Sequence, residues 1–243
     1  AMGASLEAAI PILKKHREKF DLFTCDKGFG VLMKRGIKPD YVMICDANIP
    51  YRWVKDYMNQ TQDVKLIATC YANPEWTRSW AGPKYFYVNR DAIATEEKFL
   101  PIMGPQTRVI PATSNVSNAM LVFLSGCDES NMVNWSGYDR YLLTGYDYSW
   151  SPDGRYYAFA NPKPKRFYMH HHTLVGMGNE VAFTSENLLF SAKWLYSYIT
   201  TFQIPAVNCS GRGLLEIPYR DDLERQLLQY NTAPAAREGV KAN

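Results

Sequence analysis

With 243 residues, the chain is long enough for one large α/β domain with a sizeable core. Hydrophobic residues at 47% and charged residues at 21% are ordinary for a soluble globular protein, and a net charge of +3 is too small by itself to mark a nucleic-acid-binding domain. Five cysteines (Cys25, Cys45, Cys70, Cys127 and Cys209) lack CxxC spacing, which speaks against a zinc knuckle, and their odd number speaks against a closed disulfide framework.

Helix is expected over 5–19, with Ser5 as N-cap, Glu7 in the first turn and Pro11 as a blemish. Short apolar runs then alternate with helical segments. The runs "DLFTCDK" (21–27), "YVMICDA" (41–47), "VKLIATC" (64–70), "KYFYVNR" (84–90) and "YLLTGYD" (141–147) read as buried parallel strands. Helices are expected at about 27–36, 51–60, 74–80 and 115–126, with Gly36 closing the first of these. Residues 185–201 carry the clearest amphipathic stripe, Leu188, Leu189, Ala192, Leu195, Tyr198 and Ile199. "PAVNCSG" (205–211) reads as a further strand and 219–230 as a last helix. The alternation predicts a doubly wound, mostly parallel Rossmann-like sheet in a single domain, 1–231, with a flexible tail at 232–243. Residues 148–184, with three prolines and three glycines between 152 and 178, break the pattern and are expected to form an irregular lid. There is no signal peptide and no apolar run of about 18 residues, so a cytoplasmic location is expected.

Polar clusters fall where open α/β sheets bind ligands, just past the strands. Gly3 and Ser5 open a helix, a place that suits phosphate or an ordinary cap. Asp26, Asp46 and Asn48 follow two successive strands, where acids bind hydroxyls, base edges or a metal, or cap the next helix. Thr113, Ser114 and Asn115 enter a helix with side-chain and backbone donors suited to phosphate or sugar hydroxyls. Gly145 and Asp147 end the strand at 141–147. Three consecutive histidines, His170, His171 and His172, stand in "KRFYMHHHTLVG". Neighbours on a strand point to opposite faces, so three in a row rarely ligate one ion, and no metal site is assigned. One of them is the natural general base near neutral pH; the alternative is a polar loop surface.

The order of these motifs resembles the MptE-like Rossmann domain of Maf-type flagellin glycosyltransferases and archaeal pterin diphosphokinases. More distantly it is similar to bacterial CMP-sialic-acid-dependent sialyltransferases. Gly3-Ala4-Ser5-Leu6 stands where the family has Gly-Pro-Ser-Leu, and "GIKPDYVMICDAN" (36–48) is similar to the family's Gly-Ile-Lys-Pro-Asp segment. "TSNVSNAM", "LTGYDYSWSPDGRYYAF" and "NCSGRGLLEIP" match the later motifs, so the likeness spans roughly residues 3–218. The family carries a hydrophobic strand ahead of its glycine loop, whereas this chain opens at the loop; that first strand is expected upstream.

The resemblance implies roles. The Gly3–Ser5 turn would meet nucleotide phosphate. Asp26 takes the place of an asparagine that meets the nucleotide in the sialyltransferases. Asp46 and Asn48 would lie near the phosphates or the donor sugar, and Thr113, Ser114 and Asn115 would hold donor groups. Tyr157 would bond the leaving phosphate, and the "YMHHH" segment falls where those enzymes have their base, His171 when read without gaps.

Three functions follow. The first is a glycosyltransferase that moves a sugar from a CMP- or UDP-type donor to an acceptor hydroxyl on a protein, glycan or modified nucleic-acid base, with no cofactor required. The second is a diphosphokinase acting on a pterin-like alcohol with ATP and magnesium; "CDANIP" offers one acid, Asp46, where the pterin enzymes carry two. The third is a non-catalytic nucleotide-sugar-binding module. Oligomeric state is not legible.

Overall fold

A computed structural model describes residues 1–89, 109–111, 113, 115–126, 136–161 and 172–229. His170, His171 and Ser114, and the tail from 232, lie outside the described residues.

Five strands, β1 (Phe23–Cys25), β2 (Tyr41–Ile44), β3 (Lys65–Thr69), β4 (Lys84–Asn89) and β5 (Val109–Ile110), form one parallel sheet in sequential order. β6 (Tyr141–Leu143) pairs in parallel with β9 (Ala206–Asn208). Apolar residues face both sides of the large sheet, as parallel strands require. Val42, Ile44, Leu66 and Ala68 pack with Phe29, Val54, Met58, Trp76 and Trp80 on one face. Met43, Ile67, Tyr87 and Ile110 face the other, against Ala119, Leu121, Val122, Leu195 and Ile199.

The helices bear out most of the periodicity. They are α1 (Leu6–Lys15), α2 (Asp26–Met33), α3 (Pro74–Ser79), α4 (Val116–Ser125), α5 (Glu186–Thr201) and α6 (Leu223–Gln229). α2 and α3 contribute to the first core face; α4 and α5 contribute to the second. This is the α/β, doubly wound arrangement. Gly36 closes α2 as expected: its φ is +69°, and Ile37 N–H reaches Leu32 O while Gly36 N–H reaches Met33 O, a Schellman pair.

Three expectations need correction. Residues 51–60 are two 3₁₀ turns, Tyr51–Trp53 and Lys55–Gln60, not an α-helix. The end of the presumed lid is regular: β7 (His172–Val175) and β8 (Val181–Thr184) form an antiparallel hairpin, tied to the preceding segment through Trp150 and Phe183. Its β-branched residues and the Gly178 turn carry that signal, masked in the sequence by the prolines upstream. Ser5 is helical itself and makes no capping bond to α1; its hydroxyl goes elsewhere.

Among the described residues β1 pairs only with β2 and β6 only with β9. The first residues lie against the end of β6: the Ala1 amine donates to Thr144 O at 2.7 Å and Gly3 N–H to Gly145 O at 2.8 Å. No helix among the described residues is long and apolar enough to cross a membrane.

Candidate functional site

The opening segment 1–5, the loop after β6 and the loop after β9 converge at the carboxyl end of β6. Two of these approaches depend on a glycine where backbones meet. A Cβ on Gly3 would stand 2.5 Å from Asp147 Cγ and 2.7 Å from Gly145 O. Gly213, at φ +95°, lies against the Asp147 backbone, with 2.5 Å between a would-be Cβ and Asp147 Cα. Leu214 N–H then donates to Asp147 O.

Asp147 is the hub. Its side chain is buried and accepts the Ser5 backbone N–H at 2.8 Å and the Ser5 hydroxyl. Burial raises its pKa, while the Ser5 bonds and the nearby Arg212 pull the other way. A protein carboxylate thus already occupies the amino end of α1, where the sequence suggested phosphate. Both donors of Ser5 are spent, and Ser5 does not line the pocket described next.

That pocket, of about 170 Å³, opens beside this hub. Gly3, Gly145 and Asp147 form one wall; Cys25, Asp26 and Lys27 at the start of α2 form another. The amino end of α4 supplies Asn115, Val116 and Ser117, and the segment after β6 supplies Tyr146, Tyr148, Ser149, Tyr156 and Tyr157. Asn115 caps α4, its side chain accepting Asn118 N–H at 3.0 Å. Tyr146 donates to Ser117 O at 3.0 Å, and Tyr148 to Asn118 Oδ1 at 2.5 Å. Tyr148 adopts φ +51°, a strained setting for an aromatic residue, held by Thr184 Oγ1 on its carbonyl at 2.7 Å.

Asp26 is half-buried, and desolvation raises its pKa against the pull of its bond from Lys27 N–H. Burial also raises the pKa of Tyr157, so its phenol stays a donor at neutral pH.

The expected site residues therefore divide. Gly3, Asp26, Asn115, Gly145, Asp147 and Tyr157 line one pocket. Asp46 and Asn48 are exposed and outside the lining, with Asn48 N–H bonded to Asp46 Oδ1 as in a simple turn. Thr113 donates to Asn115 O and also stands outside the lining. His172 opens β7, half-exposed, 3.8 Å from Glu186, away from the pocket wall. Sequence reading missed Lys27, Ser149 and the tyrosines Tyr146 and Tyr148. Lys27 and Ser149 carry no motif. Among the described residues no group of three or more His, Cys, Asp or Glu side chains is arranged to hold a metal ion.

A parallel sheet with helices on both faces and a polar, aromatic-walled pocket at its carboxyl edge defines a Rossmann-like domain of the ligand-binding kind. The model of one family, described as 6-hydroxymethylpterin diphosphokinase MptE-like, matches residues 1–153. The chain belongs to the MptE-like family, a family of transferases. In fold it is similar to the Maf glycosyltransferase from Magnetospirillum magneticum AMB-1, with a TM-score of 0.66 and 19% identity over 93% of this chain. The aligned part is 33% of that protein, so the chain spans about a third of its length. No curated protein matches the sequence.

Proposed function

We propose that the domain is a glycosyltransferase moving a sugar from a nucleotide-activated donor, CMP- or UDP-type, to an acceptor hydroxyl. The observation that carries this reading is the pocket itself, with the amino end of α4, half-buried Asp26 and the Tyr157 phenol converging on one space at the sheet edge. Helix ends and fixed donors suit the phosphate that leaves, and the aromatic wall suits a base or sugar ring. The fold likeness to a Maf glycosyltransferase agrees with it.

In the proposed reaction the acceptor oxygen attacks the anomeric carbon while its proton passes to a histidine of the 170–172 run, His171 on the family resemblance. The bond from that carbon to the phosphate oxygen breaks, its electron pair staying on the phosphate. Tyr157 and the amino end of α4 would stabilise the charge by hydrogen bonds already in position.

The family description favours a second reading, a diphosphokinase using ATP and magnesium. Magnesium needs carboxylates around the phosphates. Asp26 is in the pocket, but Asp46 is outside it, and no cluster of metal-ligating side chains stands among the described residues. The domain as a non-catalytic donor-binding module is the third reading.

The experiment is a thermal-shift screen against CMP, UDP, GDP and ATP, each with and without magnesium, followed by sugar-transfer assays of Tyr157→Phe and of each histidine changed to alanine. Stabilisation by CMP or UDP without magnesium, with transfer lost in Tyr157→Phe and in one histidine variant, is expected. Stabilisation only by ATP with magnesium would reverse the order of the first two readings. Transfer unchanged in Tyr157→Phe and His171→Ala would remove the mechanism.

A further inference from the structure

We propose that Lys27 is the cation of a phosphate subsite in the inner pocket, completed by the Ser149 hydroxyl and the amino end of α4. The proposal deepens the donor reading above and rests on it for the identity of the ligand.

Three independent features meet in one space. Lys27 is half-buried, and its ammonium lies 3.8 Å from the centre of the Tyr157 ring and 4.6 Å from that of Trp53. Two aromatic faces hold the charge without neutralising it. Asp26 and Asp46 act on it only at a distance, and it forms no ion pair with the described residues. A desolvated ammonium set against two ring faces gains from an anion that enters the pocket.

Ser149 is 3% exposed, its hydroxyl has no hydrogen-bond partner among the described residues, and it lines the same pocket. A buried unpartnered hydroxyl costs about 1–3 kcal/mol, which a ligand oxygen would recover. The third feature is α4, ten residues long, whose Asn115 side chain is taken up by Asn118 N–H. The Val116 and Ser117 N–H groups precede the first backbone bond of the helix, which Ala119 makes to Asn115 O. An ammonium, a hydroxyl and a helix amino end together match a group with three acceptor oxygens and a negative charge. At about 170 Å³ the space takes a phosphate and the group beside it better than a whole nucleotide sugar. α1 offers no rival seat, because Asp147 already fills its amino end.

The test is calorimetric titration of wild type, Lys27→Met, Lys27→Arg and Ser149→Ala with inorganic pyrophosphate, CMP and cytidine in the presence of EDTA. Circular dichroism checks that each variant is folded. Lys27→Met should weaken pyrophosphate and CMP at least tenfold, Lys27→Arg should keep most of the affinity, and Ser149→Ala should weaken both several-fold. Cytidine, which lacks phosphate, should not discriminate among the four proteins. Equal CMP and pyrophosphate affinity in folded Lys27→Met and wild type would overturn the proposal, as would an absence of pyrophosphate binding to wild type. The donor reading fails separately: pyrophosphate binding that depends on Lys27, without turnover of any nucleotide sugar, supports the subsite and removes the glycosyltransferase.

Discussion

Replacing Asp147 separates a structural clamp from a ligand contact. The carboxylate is 2% exposed and accepts two hydrogen bonds from Ser5. Asp147→Ala strands two donors away from water, each at a cost of about 1–3 kcal/mol. Removing a carboxylate whose ionised form burial disfavours returns part of that, leaving a net loss of about 2–4 kcal/mol. In a domain of this size about 1 kcal/mol moves Tm by roughly 2–4 °C, so a fall of about 5–15 °C is expected. Asp147→Asn keeps one acceptor and should fall by about half as much.

The pH dependence has a definite sign. The folded pKa of Asp147 lies above its unfolded value, so the stability this group contributes is full below the unfolded pKa and is lost as pH rises through the folded one. The deficit of Asp147→Asn relative to wild type should therefore be greatest in acid and shrink above about pH 4. Thermal melts and urea titrations across this range read both effects. A melt of Asp147→Ala within about 2 °C of wild type would refute the clamp, since even one stranded donor should move Tm by more. If that variant also lost CMP binding, the ligand contact expected from its place at the strand end would stand instead.

Gly3→Ala should cost about 1–3 kcal/mol in urea unfolding, because its Cβ meets Asp147 and Gly145 and the surrounding backbones are fixed. Glu7 accepts from Arg155 and from Phe159 N–H at 2.6 Å, and the Arg155 bond holds its pKa below the usual value of 4.5. Its contribution is present above that value and lost as pH falls through the folded pKa, so Glu7→Gln should flatten the acid limb of the stability curve measured by urea unfolding. Burial pushes the thiols of Cys25 and Cys45 up to about 12; both should stay unlabelled by iodoacetamide at pH 8 in the native protein and react on unfolding, as mass spectrometry would read.

Much of the architecture was legible because parallel strands buried on both faces must be apolar throughout. "YVMICDA" and "VKLIATC" announce β2 and β3 for that reason, and the stripe from Leu188 to Ile199 announces α5. The 51–60 segment misled, because its apolar spacing fits a 3₁₀ turn as well as an α-helix over so short a length. The site was legible in part. Turn residues past strand ends pointed to Gly3, Asp26, Gly145, Asp147 and Asn115, all of which line the pocket. Asp46 and Asn48 carry the same signal and yet form an exposed turn, since strand-end placement says which edge a side chain reaches and not which loop it faces.

The sequence alone determined the class of sheet, the family to which the chain belongs and the sheet edge at which the pocket opens. These follow from local periodicity and from short motifs, each complete within a dozen residues. Only the tertiary structure decided which donors remain free. Ser5 and Asp147 stand 142 positions apart and consume each other. Lys27 in the first turn of α2 and Tyr157 in the segment after β6 come together, with Trp53, to set a cation between rings. Long-range pairing of this kind leaves no trace in spacing, because what makes a polar group available to a ligand is the absence of a partner folded against it.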